Sequence, residues 1–156
     1  MSFQFFRSVN GQRSSFEIPA FGVELTVELP PDASDNHALT ILETVNAPGS
    51  GPPLHRHQQA EIFRVLEGRY LYEVNGHRFE ADAGDVISIP GGDAHGFLNI
   101  SDKPSRQFVM ILPGIDAQKF FSDLNELFMN GKPDMATLNA FGQPWGVEFL
   151  GPPIKP

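Results

Sequence analysis

Much of the chain between Val23 and Pro113 is divided into short runs with the composition of β-strands. The runs EIFRVLEG, DVISIP, HGFLNI and RQFVMILP are rich in apolar, β-branched and aromatic residues, and turn residues close or follow each one. Asn75-Gly76 divides RYLYEVNGHRFEAD into two alternating halves, which predicts a hairpin with a type I′ turn. Many short strands joined by tight turns are typical of a sandwich or a barrel. The sequence therefore predicts an all-β fold.

The length and charge of the chain indicate one domain and restrict its partners. The 156 residues fit a single domain over 1–156, with a barrel core at about 20–113, a helical segment at about 114–142 and an extended tail at 143–156. A net charge of -8 argues against nucleic acid as a partner. No window has the ~20 apolar residues of a membrane-spanning helix, and no signal peptide is evident. We therefore expect a cytoplasmic protein.

The pattern changes to helical spacing after Pro113. Apolar residues recur three and four positions apart in GIDAQKFFSDLNELFMNG, with Asp116 as a predicted N-cap and Gly131 as a predicted stop. PDMATLNAFG predicts a second short helix with Pro133 in its first turn and Gly142 at its end. The Phe-rich first helix is interpreted as packing over the barrel or as a dimer contact, rather than as a cofactor-binding element.

The stretch LHRHQQAE has the spacing of a metal site. Residues two apart on a strand project to the same face, so His55 and His57 can converge on one ion while Arg56 points away. Glu61 shares their parity if the extended geometry persists through the turn, and it would add a carboxylate oxygen. The chain has no cysteine, so nitrogen and oxygen atoms must hold any metal.

A fourth ligand is predicted from the next histidine in a similarly tight context. His95 begins a strand after the sharp turn that Gly91 and Gly92 allow, and its side chain can point into the barrel. The two remaining histidines, His37 and His77, have the context of a surface loop and a hairpin.

Together, these windows resemble the paired signature of the cupin superfamily. The first motif is matched by Gly49, His55, His57, Glu61 and Gly68. The second motif is matched by Gly84, Pro90, Gly92, His95 and Asn99. The inter-motif segment of 15 residues resembles that of small single-domain bacterial cupins of the quercetinase-like type. We interpret the motif glycines, Pro90 and Asn99 as residues that shape turns, not as ligands.

The resemblance implies a fold and a cofactor. The fold is a double-stranded β-helix, a jelly-roll barrel, here followed by one or two C-terminal helices. One divalent transition metal per chain would be bound by His55, His57, Glu61 and His95. Fe, Mn, Co, Ni, Cu and Zn all suit such a nitrogen-rich shell, and affinity alone does not choose among them.

Strand parity predicts an apolar pocket beside the metal. Phe63 shares the parity of Glu61, and Phe97 shares that of His95. On RQFVMILP we assign Phe108 and Met110 to the interior. No basic residue is predicted to face inward, so the pattern favours an apolar or aromatic small molecule over a sugar phosphate.

Three functions agree with these residues. The first is a metal-dependent oxygenase acting on an apolar or aromatic oxygenated molecule, with Glu61 as the catalytic proton acceptor. The second is Lewis-acid isomerisation, decarboxylation or lyase chemistry. The third is a non-enzymatic small-molecule-binding protein.

The N-terminus predicts a homodimer. The apolar segment FQFFRSV, residues 3–9, can form a strand that crosses to a second copy, and pairing would cover an edge that is otherwise exposed.

Overall fold

The structure is a computed structural model, and it describes residue 9, residues 13–29 and residues 38–156. The strand predicted at 3–9 lies outside the described residues apart from Val9, as does His37. The homodimer therefore stays a prediction. No helix within the described ranges is long and apolar enough to cross a membrane.

The described residues form eleven strands in two antiparallel sheets. The strands are β1 (Ser14–Ile18), β2 (Val23–Val27), β3 (Thr40–Asn46), β4 (Pro53–His57), β5 (Ala60–Glu67), β6 (Arg69–Val74), β7 (His77–Asp82), β8 (Val86–Ile89), β9 (His95–Asn99), β10 (Ser105–Leu112) and β11 (Val147–Pro153). The first sheet has the order β1-β2-β3-β10-β5-β8 and the second has the order β11-β4-β9-β6-β7. The all-β prediction is confirmed.

The strands form where the sequence alternates and end where it turns. In β5 the side chains at the even-numbered positions 60 to 66 are half-buried or exposed, whereas Glu61, Phe63 and Val65 are buried. Asn75 and Gly76 have positive φ angles of 48° and 79° between the paired strands β6 and β7, as the type I′ prediction requires. One face of β5 thus packs on the core of the barrel.

Two apolar clusters fill the interior. One lies inside the barrel and includes Leu25, Phe63, Tyr72 and Val109. The other joins Ile18 and Phe21 of the barrel wall to the C-terminal segment, and it also contains Phe120, Leu124, Leu138 and Phe149. The Phe-rich helix therefore packs on the barrel, one of the two roles expected for it.

Helices α1 (Ala117–Met129) and α2 (Met135–Gly142) follow the barrel. The Asp116 carboxylate accepts a hydrogen bond from the Lys119 N–H at 3.1 Å, which confirms the predicted N-cap of α1. In α2 the predicted position of Pro133 is wrong: Asp134 caps the helix by accepting from the Thr137 N–H at 2.8 Å, so Pro133 precedes the cap.

The predicted tail is extended but is not a free arm. It forms β11, which pairs with β4 and places Val147 opposite His57 and Phe149 opposite His55. The C-terminal segment therefore borders the strand that carries the His-x-His pair.

The motif glycines have backbone angles suited to turns. Gly49, Gly68, Gly84 and Gly92 all have positive φ, between 71° and 98°. At Gly68, between β5 and β6, a Cβ atom would lie 1.9 Å from Ser105 Oγ, inside the barrel wall. The angles support the interpretation of these glycines as turn residues.

We predict that Gly68→Ala lowers the free energy of unfolding by about 3 kcal/mol, because it adds left-handed backbone strain to a steric overlap with Ser105. Gly151→Ala is the control, since no atom lies within 4 Å of its added Cβ. That control should change stability by less than about 0.5 kcal/mol. Urea unfolding followed by circular dichroism measures both, and equal stabilities would contradict the prediction.

Candidate metal centre

Three strands bring four potential ligands together. β4 carries His55 and His57, β9 begins with His95, and Glu61 is the second residue of β5. His55 pairs directly with His95 across the second sheet. One ligand atom from each of the four residues lies within 4.8 Å of the others. The structure thus assembles the predicted group.

Glu61 reaches the group by a different route from the one predicted. The chain bends at Gln58-Gln59 and passes from β4 in the second sheet to β5 in the first, so parity does not continue through the turn. Glu61 therefore faces the histidines from the opposite sheet. Arg56 points outward, as expected, and its guanidinium lies 2.7 Å from the Glu148 carboxylate.

Main-chain carbonyls orient all three imidazole rings. Nδ1 of His55 donates to Pro53 O at 2.7 Å, Nδ1 of His57 donates to Gln59 O at 3.1 Å, and Nδ1 of His95 donates to Asp93 O at 2.8 Å. A carbonyl oxygen cannot donate, so each Nδ1 carries a proton. Nε2 is therefore the available ligand atom of each ring.

Glu61 is the anionic centre of the group. Its Oε2 lies 2.7 Å from His95 Nε2 and 3.3 Å from His57 Nε2. Burial favours the neutral acid, but the close polar contacts with His57 and His95 outweigh it and hold the pKa of Glu61 below its ordinary value. Glu61 is therefore ionised at neutral pH.

The imidazoles differ in their affinity for protons. Burial, assisted by the charge of His95, lowers the pKa of His55 to about 3, although Glu61 opposes the shift. Burial also opposes charge on His95, yet its hydrogen bond with Glu61 raises its pKa above the ordinary value. Without a cation, the proton shared with Glu61 is therefore held on His95.

The donor set fits a divalent transition metal. The three available imidazole nitrogens and the carboxylate oxygen converge on one buried point, with tautomers already set for coordination. A cation there would replace the His95 proton as the partner of Glu61.

A cavity of about 140 Å³ opens beside the metal group. Phe63 and Phe97 both line it, as predicted, and their ring centroids are 5.7 Å apart. Among the described lining residues, Glu61 is the sole carboxylate and no Lys or Arg is present. A single-ring molecule fits this volume, since a cavity of ~150 Å³ holds benzene.

Phe108 and Met110 do not line the cavity, so that prediction is wrong. On β10 the buried positions are the odd ones, and Val109 and Ile111 face the interior opposite Phe63 and Glu61. Both parities of RQFVMILP are apolar, so alternation alone could not choose between them.

Other lining residues were not predicted. The helix α1 contributes Phe120, Phe121 and Leu124, and the C-terminal segment contributes Trp145 and Phe149. The spacing of these apolar residues indicated that they are buried, but it did not indicate which part of the protein they pack against. Two polar residues of β3, Thr44 and Asn46, also line the cavity, and nothing in their sequence context signalled it.

We predict that His57→Ala weakens metal binding by more than about 100-fold, because it removes a ligand and even outer-sphere changes cost 10–100-fold. His77→Ala is the matched control, since His77 lies on the exposed β7 hairpin. Elemental analysis and Co²⁺ titration measure both variants. Unchanged occupancy in His57→Ala would place the metal elsewhere.

We also predict that metal affinity falls as pH falls. The raised pKa of His95 keeps its proton bound to higher pH than in a free histidine, so the metal must displace that proton. Affinity should be full above this pKa and decline by at least about tenfold per pH unit below it. Competition with a chelator for Zn²⁺ at several pH values measures the slope, and a flat profile would contradict the prediction.

Comparison with known families agrees with the fold and the motifs. Residues 42–111, from β3 to β10, match the Cupin_2 family, described as a cupin domain. This range contains all ten motif positions.

Three relatives share part of the chain. The uncharacterised protein MJ1618 of Methanocaldococcus jannaschii is 36% identical over 66 residues, which are 42% of this chain and 53% of that protein. The oxalate-binding protein of Thermotoga maritima is 32% identical over 78 residues, which are 49% of this chain and 64% of the relative. Epoxidase atD of Aspergillus terreus is 36% identical over 83 residues, which are 50% of this chain and 26% of the relative. The chain thus spans less than two thirds of each relative.

A solved structure extends the likeness to most of the barrel. The structure of a Thermotoga maritima protein, described as a predicted oxalate decarboxylase, has a TM-score of 0.58 and 26% identity, and it covers 70% of this chain and 98% of that one. The motifs and the family match agree that residues 42–111 resemble a cupin domain, and the two-sheet barrel around them has the cupin fold.

Proposed function

We propose that the protein is a metal-dependent oxygenase, similar to the quercetinase-like cupins, that acts on an apolar or aromatic small molecule carrying an oxygen. One observation supports this most strongly: the three-histidine, one-glutamate group opens onto a cavity with mostly apolar walls and no Lys or Arg among its described residues.

The chain's own residues would hold the cofactor. His55, His57, Glu61 and His95 would bind one divalent transition metal from the series Fe, Mn, Co, Ni, Cu and Zn. When bound, a redox-active ion would supply the one-electron chemistry that reaction with dioxygen needs, and it would lower the pKa of a coordinating phenol or enol.

Glu61 would accept the substrate proton. Its Oε1 forms no hydrogen bond with another described residue. Glu61 is also the carboxylate residue among the described residues that line the cavity. The contacts of His57 and His95 with Oε2 keep the carboxylate ionised, which leaves the second oxygen free to accept a proton from a hydroxyl within hydrogen-bond reach.

The apolar walls would orient the substrate and keep water out. Phe63 and Phe97 meet edge to face, an arrangement that can position an aromatic ring beside the metal group. Exclusion of water strengthens the electrostatic interactions made by Glu61 and the histidines.

The charge of the lining restricts the substrate class. Oxalate, which the Thermotoga relative is named for binding, is a small dianion. Here no Lys or Arg among the described lining residues could neutralise a second carboxylate, so the cavity favours a neutral molecule or a single anion.

Two other functions remain candidates. The likeness to the protein described as a predicted oxalate decarboxylase favours Lewis-acid chemistry, such as decarboxylation, isomerisation or a lyase reaction. The likeness to the oxalate-binding protein favours a small-molecule-binding role without catalysis.

We predict that protein loaded in turn with Fe²⁺, Mn²⁺, Co²⁺, Ni²⁺ and Cu²⁺ consumes oxygen with at least one compound from a panel of phenols, catechols and flavonols. Glu61→Gln should lower the rate by at least about 100-fold, since general-base catalysis contributes 10²–10⁴-fold. Glu148→Gln, a change at an exposed ion pair, is the control. An oxygen electrode measures uptake.

The outcomes separate the candidate functions. Product formed without oxygen uptake would favour the Lewis-acid reaction. Binding without product, with every metal and compound, would favour the non-enzymatic role and contradict the oxygenase.

A further inference from the structure

One wall of the cavity comes from outside the segment that matches the cupin domain. The four potential metal ligands lie within that segment, residues 42–111. The helix α1 follows it in the chain and adds the side chains of Phe120, Phe121 and Leu124 to the lining. The metal group and this wall therefore come from different parts of the sequence.

The start of α1 is fixed beside the metal group. Thr40, Ile111 and Glu61 are cross-strand neighbours on β3, β10 and β5, so the Thr40 backbone lies about 10 Å, two strand spacings, from that of Glu61. The Thr40 hydroxyl donates to Ile115 O at 3.0 Å and accepts from the Ile115 N–H at 2.9 Å. Ile115 lines the cavity just before α1 begins. The helix therefore starts level with the metal group.

Helix α1 packs with the edge strands of both sheets. Among the described strands, β1 is at one edge of the first sheet and β11 is at one edge of the second. Phe120 and Leu124 belong to the apolar cluster that also contains Ile18 of β1 and Phe149 of β11. The Phe149 ring in turn lies 6.4 Å from the His55 ring. A single aromatic ring thus separates the α1 cluster from a potential metal ligand, so a one-ring molecule at the metal group is close enough to contact the helix.

Phe121 is the wall residue best placed to limit the size of a ligand. It packs against both apolar clusters, the one inside the barrel and the one around the C-terminal segment. Phe120 meets its ring edge to face at 5.0 Å, which helps to hold the ring in place. Phe121 is half-buried, whereas Phe120 and Leu124 are buried. Truncation of Phe121 would therefore enlarge the cavity while leaving the centre of each cluster intact.

We propose that Phe121 is a specificity-determining residue that restricts the substrate to a single ring. The substrate class is then a phenol with one ring, or an apolar molecule of similar size, whose oxygen faces the metal group and whose ring contacts Phe121. A second fused ring would overlap the wall, because the cavity of about 140 Å³ has room for one ring. The inference rests on the proposed function for the oxygen that faces the metal.

Two probes that differ in one ring test the size limit. Phenol and 2-naphthol share the hydroxyl, and 2-naphthol adds a second fused ring. In an apolar cavity without a size limit, 2-naphthol would bind more tightly because it buries more apolar surface. Against the Phe121 wall we expect the opposite order, with phenol binding at least about tenfold more tightly. Isothermal titration calorimetry on Zn²⁺-loaded protein under argon measures both affinities without oxidation of either probe.

Variants assign the size limit to Phe121. Phe121→Ala should reverse the order of the two affinities, and Phe121→Leu should shift it in the same direction by a smaller factor. Phe128→Ala is the matched control, because Phe128 is on the same helix and its ring lies 4.7 Å from Phe21, yet it is not among the described residues that line the cavity. Thermal melting and zinc content show whether each variant is folded, and Phe121→Leu decides if Phe121→Ala is not.

Each contrary result would overturn the inference. Wild-type protein that binds 2-naphthol as tightly as phenol, or more tightly, has no such limit. The wild-type order in both Phe121 variants would place the limit elsewhere. A reversal in Phe128→Ala as large as that in Phe121→Ala would mean that any loosening of α1 admits the second ring. Binding of neither probe to the wild type at millimolar concentration would also overturn the inference.

Oxygen uptake separates this inference from the proposed function. A preference for phenol that reverses in Phe121→Ala, without oxygen uptake by any metal-loaded form, would support the size limit but remove the oxygenase. Oxygen uptake by the wild type with flavonols as fast as with single-ring phenols would support the oxygenase but remove the size limit.

Discussion

The contact between Glu61 and His95 is the interaction on which the centre of this barrel depends. The two side chains come from opposite sheets, and their atoms meet at 2.7 Å in a buried position. A carboxylate at such a depth is tolerated only with a charged or hydrogen-bonding partner. The sheets must therefore hold β5 and β9 at one separation, and the bends at Gln58-Gln59 and at Gly91-Gly92 serve that requirement.

Most of the barrel could be predicted because its signals are local. Alternation determines which face of β5 is buried, and Asn75-Gly76 determines a turn by its own backbone preferences. The four ligands could also be identified, although the argument for Glu61 assumed one continuous extended strand. The chain instead changes sheets between β4 and β5, so His57 and Glu61 converge across the barrel rather than along a strand.

The parts that sequence reasoning missed depend on long-range contacts. The face of β10 could not be chosen because both alternating sets are apolar, and only the pairing with β3 and β5 selects Val109 and Ile111. The apolar residues at helical spacing on α1 indicated that one side of the helix is buried, but they did not identify the surface it packs against. Pairing of β11 with β4 places the Phe149 ring 6.4 Å from the His55 ring, a contact between residues far apart in the chain.

The hydrogen bonds that orient the imidazoles have an evolutionary consequence. Each Nδ1 donates to a main-chain carbonyl, an acceptor that no side-chain substitution can remove. Residues around the cavity can therefore vary without misdirecting the ligand atoms, provided that the turns keep their shape. Such a barrel can acquire new substrates by changing its walls while its metal-binding geometry is inherited through the backbone.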